Sequence, residues 1–286
     1  MKNLVWLVSY PKSGNTWFRM FLANYQRDTD KPVSLQEIES TPISSDAVAF
    51  EEETSLNPFE MTFDEVDLYR PDVYRAISKE AESTGKICFK KTHDAYTLNT
   101  EGVPIFPADV SNCAVYFIRN PLDVCVSYAN HSAKEVSKTV KFILNEEAYL
   151  SGNKAGQLCQ KLMSWKSHVK SWKEQKLIPI LIVRYEDMLT DPLGSFGSVV
   201  KFLGLEYNEE RLERAIINSD FNVLKQMEQD NGFKEKSQKC KSFFWKGKIG
   251  NYREYLSDKQ IRSIVEYNFD TMKEFGYVDD KGEIKI

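Results

Sequence analysis

Histidine is scarce, the cysteines form no pattern, and no apolar run is long enough to cross a bilayer. Each shortage removes a class of protein. Only His93, His131 and His168 occur in 286 residues. They form no cluster of metal-ligand spacing with the cysteines, so no metal is expected. Five cysteines (Cys88, Cys113, Cys125, Cys159 and Cys240) include no CxxC pair and leave one over, which predicts a reduced, cytoplasmic protein. The N-terminal apolar run is too short for a signal-peptide core and passes straight into Pro11-Lys12-Ser13, which is no cleavage site. Without a long apolar segment, no membrane partner is expected. An excess of base is missing too: 38 Lys plus Arg stand against 42 Asp plus Glu, which argues against bulk nucleic-acid binding. What is present, 42% hydrophobic and 13% aromatic residues, is a globular chain able to bury a large core. No repeat, low-complexity tract or linker is found, which predicts one domain over residues 1–286.

The chain is organised around Leu4 to Tyr25. Leu4 to Val8 reads as a short strand buried on both faces, stopped by Ser9-Tyr10-Pro11. The turn Lys12-Ser13-Gly14-Asn15-Thr16 follows, and Trp17 to Leu22 continues at helical spacing. Strand, tight turn and helix N-terminus make an anion site, because first-turn N–H groups point outward and the helix dipole favours negative charge. Gly14 lets backbone approach a ligand, Lys12 brings a full charge, and the Ser13 and Thr16 hydroxyls can donate. The spacing is not that of a Walker A box. The bland alternative is an ordinary strand-to-helix turn with a helix cap.

Residues 28–70 carry Pro32, Pro42 and Pro58 and many acids, and read as solvated loops with short helices. A surface helix is expected over 71–83. Lys86 to His93 reads as a second strand delivering Lys91 and His93, and Cys113 to Ile118 as a third, ending in Arg119-Asn120-Pro121. A helix from Leu122 to about His131 follows. Residues 134–176 read as helical with a break at Ser151-Gly152-Asn153, with Trp165, Val169 and Trp172 on one face. Leu177 to Asp187 reads as a fourth strand and its exit. Helices are expected from Pro192 to about Leu203, over 208–218, 221–229 and 257–275, with a basic, turn-rich segment from Lys234 to Gly250. Strands alternating with helices predict an α/β fold, a central parallel sheet covered on both faces, with ligands beyond the carboxyl ends of the strands.

Five segments then match, in order, the pattern of cytosolic-type sulfotransferases, which use 3′-phosphoadenosine 5′-phosphosulfate (PAPS). Lys12-Ser13-Gly14-Asn15-Thr16-Trp17 resembles the family's P-loop-like phosphosulfate-binding loop. Lys91-Thr92-His93 resembles the segment with its catalytic base. YFIRNPLDVCVSY at 116–128 resembles the 3′-phosphate strand and helix, with Arg119 and Ser127 at the family's spacing. Arg184-Tyr185-Glu186-Asp187-Met188 resembles the segment whose tyrosine lies near adenine. WKGKIGNY at 245–252 resembles the loop that closes over the 3′-phosphate.

The resemblance implies a sulfuryl transfer from PAPS to a hydroxyl, or an amine, of a small-molecule acceptor, releasing adenosine 3′,5′-bisphosphate (PAP). It assigns the catalytic roles to His93, Lys12 and Lys91. It assigns nucleotide binding to Lys12, Ser13, Gly14, Asn15, Thr16, Trp17, Arg119, Ser127, Tyr185, Ser219, Phe221, Trp245, Lys246 and Gly247. The chemistry suits these residue types: two anionic sites need fixed donors, Arg grips phosphate in a bidentate way, and transfer asks mainly for positioning and charge neutralisation. Several residues have blander readings. Arg119 could pair with Asp123 or Glu186, Ser219 could cap a helix, and His131 and His168 lack context and read as structural or surface residues. Trp245 stands where the family has Arg, Asn15 where it has Thr, and the family's C-terminal dimer motif is absent between Arg253 and Arg262, which leaves the oligomeric state open. Glu51-Glu52-Glu53 beside Phe50 and Phe59 suggest a polar or cationic natural-product acceptor, against the bland reading of a solvated charge run. Two other functions are weighed: a P-loop kinase, which would want a Mg²⁺-holding Asp where the third strand ends in Arg119-Asn120, and a non-catalytic nucleotide-binding regulator, against which Lys12 and His93 both speak.

Overall fold

In the computed structural model, which describes residues 2–83, 85–150, 156–237 and 239–286, the chain divides into two compact units. The first comprises Met1–Tyr10, Thr41–Tyr116 and Glu146–Ile182, and the second Pro11–Ser40, Phe117–Asn145 and Val183–Ile286. The class is α/β, as expected. A four-stranded sheet has the order β2-β1-β3-β6, where β1 is Leu4–Ser9, β2 Cys88–Thr92, β3 Ser111–Ile118 and β6 Ile180–Arg184. Every residue of β1 is buried, which is what a Leu-Val-Trp-Leu-Val run between covered faces requires. β1 and β2 pair in parallel, with Val8 opposite Thr92, so their carboxyl ends are level.

In the first unit, α3 (Phe63–Glu82) and α6 (Trp165–Glu174) supply the long helices, and α2 (Ala47–Thr54) is short. Trp6 anchors the core: its ring meets Tyr74 and Phe106 edge-on at 5.0 and 4.9 Å, and its indole N–H donates to Ser111 Oγ at 2.7 Å. The helix expected over 71–83 starts at Phe63 instead. Thr62 and Glu65 close a capping box there, and Pro71 lies inside the helix rather than at its start. Residues 134–176 are not one helical stretch. After α5 (Val136–Ile143), in the second unit, a two-residue antiparallel ladder pairs β4 (Tyr149–Leu150) with β5 (Gln160–Lys161), and helix resumes at α6. The expected break at Ser151-Gly152-Asn153 lies outside the described residues.

In the second unit, α1 (Asn15–Arg27) packs through Phe18 and Phe21 on Phe196 of α8 (Pro192–Phe202), with Phe21 and Phe196 stacked at 4.3 Å. α4 (Pro121–Ser132) begins with proline at N1, where its missing N–H costs nothing. Tyr185 to Asp187, expected as a strand exit, instead open a short helix, α7 (Tyr185–Thr190). α9 (Glu209–Asn218), α10 (Phe221–Asn231) and α11 (Asp258–Glu274) stand where the sequence predicts them. Among the described residues no helix is long and apolar enough to cross a membrane.

Candidate active site

In the second unit the turn from Pro11 into α1 is built on left-handed residues, Lys12 at φ 72° and Gly14 at φ 99°. A left-handed lysine is a strained residue, of a kind that persists where its surroundings over-determine it. Gly14 is required by its φ and by space, since a Cβ there would stand 2.7 Å from Cδ2 of Tyr185. Gly14 is also the N-cap of α1 and brings no side-chain cap, so the turn is not an ordinary capped one. The N-terminus of α1 thus has no side-chain cap, and the positive end of its dipole favours an anion there. Ser13 is buried, and its Oγ has no hydrogen-bond partner among the described residues.

Arg119, at the end of β3, ties this loop to another. Its Nη1 donates to the Lys12 carbonyl at 3.1 Å and its Nη2 to the Lys248 carbonyl at 3.2 Å. The guanidinium lies 4.2 Å from the centroid of the Tyr185 ring, and its Nε is buried without a partner among the described residues. The two carboxylates considered as partners for Arg119 serve other groups. Asp123 accepts from the Gly250 N–H at 2.8 Å and the Tyr252 N–H at 3.0 Å. Glu186 accepts from the Asn120 N–H and the Tyr277 hydroxyl, each at 3.0 Å, while burial pushes its carboxyl above the usual range. Trp17 meets Tyr185 edge-on at 5.9 Å, its indole N–H buried and without a partner among the described residues. Ser127 is half-buried on α4.

The segment from Phe233 to Tyr252 reaches several of these residues. Thr16 Oγ1 donates to Glu235 at 3.3 Å, and Glu235 also pairs with the buried Arg19 at 2.7 Å. Phe243 lies under the Lys12 ammonium, 3.9 Å from it. Glu228 holds the segment by accepting from the Phe243 and Phe244 N–H groups at 2.6 and 2.9 Å. Gly247, at φ 60°, faces Phe221, whose ring would clash with an added Cβ. Trp245 packs on Tyr255 at 5.3 Å, and Lys246 pairs with Glu254 at 2.5 Å, a bond that raises the lysine's pKa. Ser219 does not cap α10. Its hydroxyl donates to the Ala215 carbonyl at 2.8 Å, and Asp220 is the cap.

In the first unit, the exit of β2 is held as tightly as the strand itself. The register that sets Val8 opposite Thr92 brings His93 beside Ser9. His93 Nδ1 lies 2.7 Å from the Ser9 carbonyl, an acceptor only, so Nδ1 carries the proton and donates. The lone pair of the neutral ring then resides on Nε2, the atom a general base needs. Next to it Asp94 is fully buried in a bidentate pair with Arg70, at 3.0 and 2.7 Å. Lys91 is buried in β2, its N–H donating to the Pro42 carbonyl at 2.9 Å.

The family model for the sulfotransferase domain matches residues 2–276. The chain belongs to the sulfotransferase family. As a sulfotransferase it is an enzyme of sulfuryl transfer. It is 25% identical over 298 residues to cytosolic sulfotransferase 17 of Arabidopsis thaliana, covering 98% of this chain and 77% of that one. It is 27% identical over 280 residues to flavonol 3-sulfotransferase of Flaveria bidentis, covering 92% and 79%. In fold it is similar to a mouse sulfotransferase complexed with PAP, at a TM-score of 0.60 and 22% identity, covering 99% of this chain and 86% of that one. Retinol dehydratase in complex with androsterone and PAP gives 0.60 at 20% identity, covering 96% and 81%.

Within the sulfotransferase, the expected nucleotide residues all belong to the second unit, and His93 and Lys91 to the first. Lys12, Gly14, Trp17, Arg119 and Tyr185 are joined by direct contacts, and Gly247 and Phe221 by another. Lys246 is turned to Glu254. Glu51, Glu52 and Glu53 are exposed on α2, as a solvated helix face would be. The sequence offers Asp123 only as a partner for Arg119, whereas it carries the Gly250 and Tyr252 amides, and it gives His168 no functional context. A signal for His168 was present: it falls on the buried stripe of Trp165, Val169 and Trp172.

Proposed function

We propose that this sulfotransferase moves the sulfuryl group of PAPS to a hydroxyl of a small organic acceptor and releases PAP, with His93 and Lys12 as the principal catalytic residues. What supports a doubly anionic nucleotide is a pair of buried donors in the second unit, Ser13 Oγ and Arg119 Nε, that find no partner among the described residues. Buried donors of this kind are costly unless a ligand meets them. Lys12, Ser13, Thr16 and the first turn of α1 would hold the 5′-phosphosulfate end. Arg119, with Ser127 and the loop of Gly247, would hold the 3′-phosphate, and Tyr185, Trp17 and Phe221 offer faces for the base.

In the transfer the acceptor oxygen bonds to sulfur as the bond from sulfur to the bridging phosphate oxygen breaks. His93 Nε2 takes the acceptor's proton, a role worth about 10²–10⁴ in rate. Lys12 neutralises charge gathering on the leaving oxygen, and losing such a donor typically costs about 3–4 kcal/mol of barrier. Lys91 adds to the positive field at the exit of β2. The test is a panel of phenols, alkyl alcohols and amines incubated with PAPS and read by the mass gain of one SO₃ group. At least one acceptor gains it with the wild type and none with His93→Ala. Wild-type turnover by His93→Ala overturns the base assignment. PAP binding without transfer to any acceptor replaces the reading by a nucleotide-binding regulator.

A further inference from the structure

His168 is fully buried in α6, yet it is polar, ionisable and absent from the chemistry described above. Its ring lies between Tyr10, edge-on at 5.4 Å, and Tyr116 at 5.6 Å. Its Nε2 is 3.0 Å from the His93 carbonyl and its Nδ1 is 2.7 Å from the Tyr116 hydroxyl. A carbonyl oxygen can only accept, so Nε2 must be the N–H. A neutral ring then has only an acceptor left at Nδ1, and the Tyr116 hydroxyl must donate to it. Burial supports the neutral ring by lowering the His168 pKa to about 4, and it keeps the Tyr116 phenol protonated by raising its pKa well above the usual range. The direction of the chain is therefore fixed: Tyr116 O–H to His168 Nδ1, and His168 Nε2–H to the His93 carbonyl.

The receiving carbonyl belongs to the proposed base. The His93 N–H donates to the Gln160 side chain at 3.3 Å, the Asp94 carbonyl accepts from the Trp172 indole at 2.8 Å, and the Ala95 N–H donates to the Lys161 carbonyl at 2.7 Å. Of these ties, the one at the His93 carbonyl comes from a side chain with two possible tautomers. We infer that Tyr116 and His168 are positioning residues for sulfuryl transfer: Tyr116 orients the His168 ring, which grips the His93 carbonyl and fixes the backbone from which the base projects. This rests on His93 as the base. A misplacement of about 1 Å at a reacting group is enough to cost about 10²-fold in rate.

The test uses the full chain, PAPS and the best acceptor from the panel above. His168→Gln keeps a donor near the Nε2 position and is expected to hold kcat within about threefold. His168→Met fills similar space without a donor, and Tyr116→Phe removes only the hydroxyl. Both are expected to lower kcat by about 10–100-fold with the KM for PAPS unchanged. With only three histidines in the chain, the nitrogen-15 spectrum resolves each ring. His168 is expected as the Nε2–H tautomer in the wild type and as a mixture in Tyr116→Phe. In a His93→Ala background, His168→Met is expected to cost nothing further, because the two act as a unit.

Wild-type kcat in folded His168→Met overturns the inference, as does an equal loss with and without His93. If His168→Met does not fold, Tyr116→Phe decides alone, and unchanged kcat there is fatal. Wild-type turnover by His93→Ala removes the base reading and this inference together. Loss of turnover by His93→Ala beside unaffected Tyr116→Phe and His168→Met removes the positioning role only.

Discussion

The ring of Tyr185 touches two residues of the proposed nucleotide site at once: Arg119 lies over its face at 4.2 Å, and its Cδ2 takes the space a Cβ on Gly14 would need. One aromatic ring thereby fixes the spacing between the loop at Lys12 and the arginine at the end of β3. Arg119 completes the connection through its own hydrogen bond to the Lys12 carbonyl.

Gly14→Ala is expected to break this spacing. The new Cβ must push Tyr185 aside from 2.7 Å while holding a φ of 99°, and strain of this kind costs about 1–3 kcal/mol. PAP affinity by titration calorimetry is expected to fall by about tenfold or more. Unchanged affinity would show that Tyr185 yields freely.

Arg119→Lys keeps the charge and loses the fork. A lysine cannot serve the Lys12 and Lys248 carbonyls together while gripping a phosphate. PAP affinity is expected to drop by about 30–100-fold, with the melting temperature of the free protein falling only a few degrees.

His168 makes stability depend on pH. Its pKa falls from 6.5 in the unfolded chain to about 4 in the folded one. Between these values the unfolded state holds a proton that the folded state refuses, so stability is complete above 6.5 and declines as pH falls toward 4. The full contribution is about 3 kcal/mol. Urea unfolding across this window is expected to show the slope in the wild type and a flatter one in His168→Gln.

The Arg70–Asp94 pair is costly to break from one side. Both side chains are buried, so Arg70→Met leaves an uncompensated carboxylate and is expected to cost about 3–5 kcal/mol of unfolding free energy. Adding Asp94→Asn is expected to restore part of the loss, and a double variant as unstable as the sum of the singles would contradict a charge-pairing role.

Much of this was legible in the sequence. β1, α1, α4 and the helices α8 to α11 announce themselves through apolar period, proline at N1 and capping residues. The failures have physical causes. Pro71 read as a helix start because proline favours the first turn, yet the Thr62–Glu65 capping box had already opened α3. Tyr185 reads as a strand exit because it follows Ile-Leu-Ile-Val-Arg without a helix-start signal. His168 was set aside because its partner, His93, is 75 positions away, and no local pattern shows such a pairing. Lys246 was read for its charge alone, and Glu254, eight residues on, already engages it.

The exit of β2 is a loop by its course and a piece of core by its bonding. The Asp94 N–H is taken by Thr92 Oγ1 at 3.1 Å, the Ala95 N–H by Lys161, and the intervening carbonyls by an imidazole and an indole. Such a segment has no cheap local opening: deuterium reaches its amides only when the surrounding unit opens, as in a central strand. The proposed base therefore stands on backbone whose amides are expected to exchange as slowly as those of β1.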